Sequence, residues 1–348
     1  MIVVVLIMLV LTLIAIAMSK NANNESRQAL DRQLGDQAYY NAESGINDVI
    51  NYLYKNPSNP AVAVEQIDDC QWYKTATPTL GDGLIDADGI NRYTCLLYNK
   101  APKTLEFDNI GLSDSKIVPI EVLNENGDAS VPLGSLNISW DDADATGSVA
   151  GCDFTSGSPP LPVSLPNNCT VGGVRVDIIR PQPNRTQLAQ FTTNAFLLPH
   201  RNAGGLLAAL PIYPDNQGII SNARCDGKKY DGSDAPRRCN MTITNLGAGQ
   251  LVLHIRSLYK PTDVSVNGTD TSSAPVRFTN AQVMVDATGK ANDVLRRVQV
   301  RLPVKPQYYL ANFGIQTRDS ICKVMQVTRT PANEASTTNT TDCPIDAP

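Results

Sequence analysis

Eight cysteines are the residues with the most evident chemistry in this chain: Cys70, Cys95, Cys152, Cys169, Cys225, Cys239, Cys322 and Cys343. An even set of thiols, all beyond residue 69, suits a disulfide framework formed in an oxidising compartment. Eight cysteines allow about a hundred connectivities. The simplest joins sequence neighbours, Cys70 with Cys95, Cys152 with Cys169, Cys225 with Cys239 and Cys322 with Cys343, each loop contributing about 3 kcal/mol. A structural zinc site is the rival chemistry; against it, the sequence has no C-x-x-C and only two histidines, His200 and His254. Asp82, Asp86 and Asp88 in DGLIDADG, and Asp141, Asp142 and Asp144 in WDDAD, gather hard oxygen ligands of the kind calcium takes. Neither follows an EF-hand loop, and a solvated turn is the alternative for both. His200 and His254 are expected on a loop and on a polar strand face. No G-x-S-x-G, H-E-x-x-H or Walker A motif occurs, since ATGKA at 287–291 lacks the upstream glycine and the following hydroxyl. A non-enzymatic protein without a cofactor is therefore expected. Seven N-x-S/T sequons, at Asn24, Asn137, Asn168, Asn184, Asn240, Asn267 and Asn339, are expected to mark exposed polar segments.

The elements that carry these residues follow from composition and periodicity. With 29 Lys and Arg against 34 Asp and Glu among 348 residues, the net charge is −5, which disfavours a general nucleic-acid binder. The apolar residues are unevenly spread, because residues 1–18, MIVVVLIMLVLTLIAIAM, hold no charge and one polar side chain, Thr12. As a helix this run reaches roughly 27 Å, close to the hydrocarbon thickness of a bilayer. A cleaved secretory signal is the alternative; against it, no basic segment precedes the run and no A-x-A site follows it. Lys20, Arg27 and Arg32 come directly after the run, which by charge bias alone would hold the larger part in the cytoplasm. The cysteines argue for export, and a short basic leader removed from ahead of Met1 reconciles the two.

From Leu30 onward, Leu30, Leu34, Ala38, Ala42, Ile46, Val49, Ile50 and Leu53 recur at steps of three and four, a stripe along one helix face. NPSNP at 56–60 ends it. One helix over residues 1–55, about 80 Å long, is thus expected to be greasy in its first half and amphipathic in its second. After residue 60 the period changes to two. Val174, Val176 and Ile178 alternate with Arg175 and Asp177, and Val298, Val300 and Leu302 with Arg297, Gln299 and Arg301, after a turn expected in DATGKAND at 286–293. The fold class is α+β: a long N-terminal helix and an antiparallel, disulfide-stapled β head. The head is expected as two lobes, 61–200 and 206–348, parted at HRNAGG.

A wholly apolar N-terminal helix running into an amphipathic one, ahead of an exported β-rich head, resembles the type IV pilin family. The stretch DRQLGDQAYYNAESGI at 31–46 is similar to that of its PilX-type minor pilins. The resemblance covers about 55 of 348 residues. It implies that a prepilin peptidase cuts behind a short basic leader, that Met1 is the first mature, methylated residue, and that the inner membrane holds the subunit before assembly. It also implies an extracellular filament built of copies of this chain or of other pilins, with a separate assembly platform and ATPase, serving adhesion, motility or DNA uptake. Most major pilins carry a buried Glu at the fifth mature position; Val5 stands there in this chain, which favours a minor subunit. In that frame Leu30, Leu34, Ala38, Ala42, Ile46 and Val49 face the head or neighbouring helices. A membrane-anchored adhesin that never polymerises, a type II secretion pseudopilin and a disulfide-stabilised secreted enzyme remain as alternatives.

Overall fold

The structure, a computed structural model, describes residues 2–55, 66–76, 83–86, 88–143, 149–152, 154, 161–162, 164–166, 168–180, 192–200, 204–208, 218–246, 251–303, 327–330 and 333–335, without the side chains at 2–7, 10, 54, 75, 76, 192 and 327–335. Met1, Asp82, Asp144, Cys322, Cys343 and the NPSNP segment lie outside this description, as does the side chain of Val5.

Helix α1 spans Ile2–Lys55 as one uninterrupted element. Its second half lies on a small antiparallel sheet in the order β1-β2-β14-β15, made of β1 (Gln66–Ile67), β2 (Asn91–Asn99), β14 (Gln282–Ala291) and β15 (Val294–Pro303). Within β15, Val298 and Val300 pack towards the helix while Arg297 and Gln299 are exposed, the alternation that the sequence pattern requires. The turn between β14 and β15 is shorter than expected. Residues 286–291 continue the ladder, and the reversal falls at Asn292 and Asp293, with Asn292 in the left-handed conformation, φ 52°, that asparagine tolerates. A five-residue helix, α2 (Trp72–Ala76), also occurs where no helix was expected.

The larger sheet has eleven strands. In chain order these are β3 (Thr104–Ile110), β4 (Ser115–Leu123), β5 (Leu133–Asp142), β6 (Gly173–Ile179), β7 (Thr192–His200), β8 (Leu206–Leu207), β9 (Ile219–Arg224), β10 (Cys239–Thr244), β11 (Leu251–Leu258), β12 (Thr262–Asp270) and β13 (Arg277–Thr279). They follow the order β13-β4-β11-β6-β7-β9-β10-β5-β12-β3, with β8 beside β10. The sheet curls until its end strands approach, the Phe278 N–H of β13 donating to the Pro102 carbonyl ahead of β3 at 3.0 Å, and it is nearly closed into a barrel. Trp140, Leu105, Ile138, Met241, Ile255 and Phe278 are buried in its interior, where Trp140 Nε1 donates to the Gly172 carbonyl at 2.9 Å. Most ladders are antiparallel, but β7 runs parallel to β9 and β8 parallel to β10.

Strands from both sides of residues 200–205 interleave: β10 pairs with β5, β11 with β6, and β14 with β2. Segments 61–200 and 206–348 therefore share both sheets. The compact units are 1–309 and 310–348. Within the second, β16 (Val327–Thr330) pairs antiparallel with β17 (Asn333–Ala335).

Three disulfides join Cys70 to Cys95, Cys152 to Cys169 and Cys225 to Cys239, each a sequence neighbour. Among the described residues no cysteine is free. The loop closed by Cys225 and Cys239 carries Arg237 to Glu106, at 3.2 Å, and to Asp263, at 3.4 Å, clamping β3 and β12. Replacing both cysteines by Ala is expected to cost about 3 kcal/mol, read as a lowered denaturant midpoint under non-reducing conditions.

Candidate functional site

Helix α1 presents two environments. Every described side chain from Met8 to Gln33 is exposed, including Met8, Leu11, Leu13, Ile14, Ile16 and Met18, each about half to two-thirds accessible. Among the described residues no helix is long and apolar enough to cross a membrane. Thr12 satisfies its hydroxyl on the Leu9 carbonyl at 2.8 Å, so no polar side chain within Met8–Met18 lacks an internal partner. An apolar helix with no covered face is unstable in water, because each exposed leucine or isoleucine forgoes about 2 kcal/mol of burial.

Burial begins at Leu34, which is half-buried, and Ala38, Ala42, Ile46 and Val49 are buried against the small sheet. Leu30 is 54% exposed, so the stripe splits: Leu30 remains free while the rest serves the head. Contact is closest at Gly289, where a Cβ would overlap the Ala38 carbonyl oxygen and the Ala42 amide nitrogen. A Cβ on Gly45 would likewise lie 2.7 Å from Leu96. Small residues on both surfaces bring backbone to backbone; the smallness of Ala38 and Ala42 is thus used within the subunit. Tyr52, Trp72, Tyr73, Tyr93 and Tyr98 close this core, the Trp72 and Tyr98 rings meeting edge to face at 5.3 Å.

Polar contacts fix the register. Asn41 Nδ2 donates to the Lys290 carbonyl at 2.7 Å and to Asn91 Oδ1 at 3.2 Å. Asn91 is in turn held by Asp86, whose carboxylate accepts from its side-chain amide at 2.8 Å and from its backbone N–H. Asp86 is thus a turn residue that positions the helix, and Asp88 is exposed beside it. Among the described residues no three His, Cys, Asp or Glu are placed to hold a metal ion. Tyr93 donates to Asp48 at 3.2 Å; burial raises the Asp48 carboxyl despite that bond.

The other candidates fall elsewhere. His254 is buried, not on an open polar face: its Nδ1 lies 3.1 Å from Asp177 on the neighbouring strand, and its Nε2 accepts from Arg256 Nε at 3.2 Å. Both ring nitrogens are thus engaged with neighbouring side chains. Burial alone would raise the Asp177 carboxyl, but the His254 hydrogen bond and Arg175 hold it below its usual value. His200 ends β7 and lies apart from this pair in the strand register, opposite Arg224. Two sequon asparagines are interior rather than exposed. Asn137 donates to Thr242 at 3.0 Å, and Asn240 donates to the Arg224 and Lys228 carbonyls.

Asp141 and Asp142 sit together at the end of β5, both buried. Burial first, then the Asp142 hydrogen bond, pushes the Asp141 carboxyl up from 3.8 to about 6, against the pull of Arg238 at 3.3 Å. A carboxyl that holds its proton more tightly when folded adds stability below about pH 4 and loses it as pH rises through about 6. Asp141→Asn is therefore expected to stabilise the head by about 1 kcal/mol at pH 8, a figure discounted for solvent contact. At pH 4 little change is expected; urea midpoints at the two pH values check the sign.

No family model, curated protein or solved structure matches the chain significantly.

Proposed function

We propose that this chain is a structural, non-catalytic subunit of a type IV pilus-like filament. Its N-terminal helix is held in the membrane before assembly and packed into the filament core afterwards. One observation supports this most: a continuous helix is docked by close backbone contact over Leu34–Leu53 while every described side chain of Met8–Gln33, apolar to Met18, is exposed. The apolar surface suits both states, since lipid and neighbouring helices cover it alike. The resemblance to pilins rests on the sequence of α1, and the curled eleven-stranded sheet adds nothing to it. In this reading a prepilin peptidase releases Met1, and a separate platform and ATPase drive extrusion.

The test is mass analysis of sheared surface filaments from the native host. A methylated Met1 peptide in the filament fraction supports the reading, its molar share separating a bulk subunit from a trace one. Filaments free of this chain, with the chain retained in membranes and an unprocessed start, would replace it by an anchored ectodomain.

A further inference from the structure

The charges on the exposed part of α1 repeat at one offset. Asp36 follows Lys20 by sixteen residues, and Glu43 follows Arg27 by the same sixteen. No other shift along the helix sets both cations level with a carboxylate. All four side chains are exposed, and none forms an ion pair with a described residue of its own chain.

Helix geometry gives that offset a direction. Sixteen residues climb about 24 Å and turn about 160° beyond whole turns, so each cation and its acid lie on nearly opposite sides of the rod. Lys20 and Arg27 share one stripe and Asp36 and Glu43 share the other, because seven residues bring the helix back to within about 20°. Lys20 lies five turns below Ala38, and Arg27 five below Gly45; both upper residues are pressed against the head. The basic stripe is therefore on the head side, beyond the head's reach, and the acidic stripe is on the side away from it.

Two parallel copies related by a shift along their common axis, as successive subunits of a filament are, meet through opposite sides. We infer that the basic stripe Lys20–Arg27 is a docking surface for the acidic stripe Asp36–Glu43 of a second copy of this chain, displaced along the helix by about 24 Å. The inference rests on the filament reading above and specifies its register. The remaining charges agree with it. Under the same shift Glu25 comes level with Asn41 and Asp31 with Asn47, so no like charges meet, and the apolar Ile14 and Met18 come level with Leu30 and Leu34. Arg32 comes level with Asp48, but that carboxylate is half-buried on Tyr93 and lies outside the two stripes. Such pairing also supplies a register where Val5 offers no buried carboxylate.

Two experiments test it in the native filament. Lys20→Glu with Arg27→Glu, or Asp36→Lys with Glu43→Lys, is expected to lower sheared-filament yield about tenfold or more, the equivalent of one to two lost ion pairs at a desolvated contact. Combining all four changes is expected to restore most of it. Independently, a chain carrying Arg27→Cys and Glu43→Cys is expected to give an oxidised ladder in assembled filaments, whereas Arg27→Cys with Asn47→Cys gives none. Normal yield from both reversed chains, or equal ladders from the two cysteine pairs, overturns the register while leaving the filament reading intact. Absence of the wild-type chain from filaments overturns both.

Discussion

Gly289→Val is expected to detach the helix from the head. Its Cβ would occupy the space of the Ala38 carbonyl oxygen and the Ala42 amide nitrogen, and these are backbone atoms that cannot rotate away. The sheet must retreat, which uncovers Ile46, Val49, Tyr52 and Trp72 and breaks the 2.7 Å bond from Asn41 to the Lys290 carbonyl. Overpacking costs 1–3 kcal/mol where side chains can adjust, and about 3 kcal/mol or more is expected here because they cannot. The readouts are a lowered urea midpoint and earlier protease cleavage within residues 34–55. Gly204→Ala is the control, since a Cβ there meets nothing. Ala38→Leu acts through the same contact, so an assembly defect in that variant reports a displaced head rather than a lost helix–helix contact.

Ile14→Asp is expected to abolish assembly with the head intact. Ile14 is 49% exposed on a helix segment whose described side chains are all exposed, so the head's urea midpoint is expected to be unchanged. A carboxylate within the hydrocarbon core costs up to about 3 kcal/mol, and a packed apolar core offers it no partner. Membrane retention should fall by about a hundredfold and filaments should vanish. Normal filaments from Ile14→Asp would mean that this segment is not buried in them.

The two variants fail for opposite reasons, and that contrast marks how much of the molecule could be read in advance. The extent of α1, its stop before 56–60 and the stripe from Leu34 to Leu53 were legible because periodicity of 3.6 and proline chemistry are local properties. The alternation in β15 was legible for the same reason, whereas β6 is buried on both faces except at Arg175 and so departs from the half-buried strand its alternation suggested. The pairings Cys70–Cys95, Cys152–Cys169 and Cys225–Cys239 agreed with proximity along the chain. Strand order was not legible, since β5 beside β10 and β2 beside β14 join segments remote in sequence through loops that carry no pairing signal. The expectation of lobes parted near residue 200 missed this interleaving. His254 was expected on a polar strand face; its partners there are indeed polar, but its burial could not be read in advance because it depends on Asp177 of another strand. Asn137 and Asn240 passed for exposed sequons because burial depends on neighbouring strands.

Sequence by itself determined the helix, its apolar first half, the charge offset along its exposed part and the alternation of β15, all of which follow from near-neighbour spacing. Tertiary structure decided which helix residues are used up. Gly289 admits the backbone of Ala38 and Ala42, assigning those small residues to the head, while Leu30 and the described side chains of Met8–Met18 stay exposed. The physical reason is that a stripe of apolar side chains specifies that it will be buried, whereas the surface that buries it is set by contacts between residues about 250 positions apart.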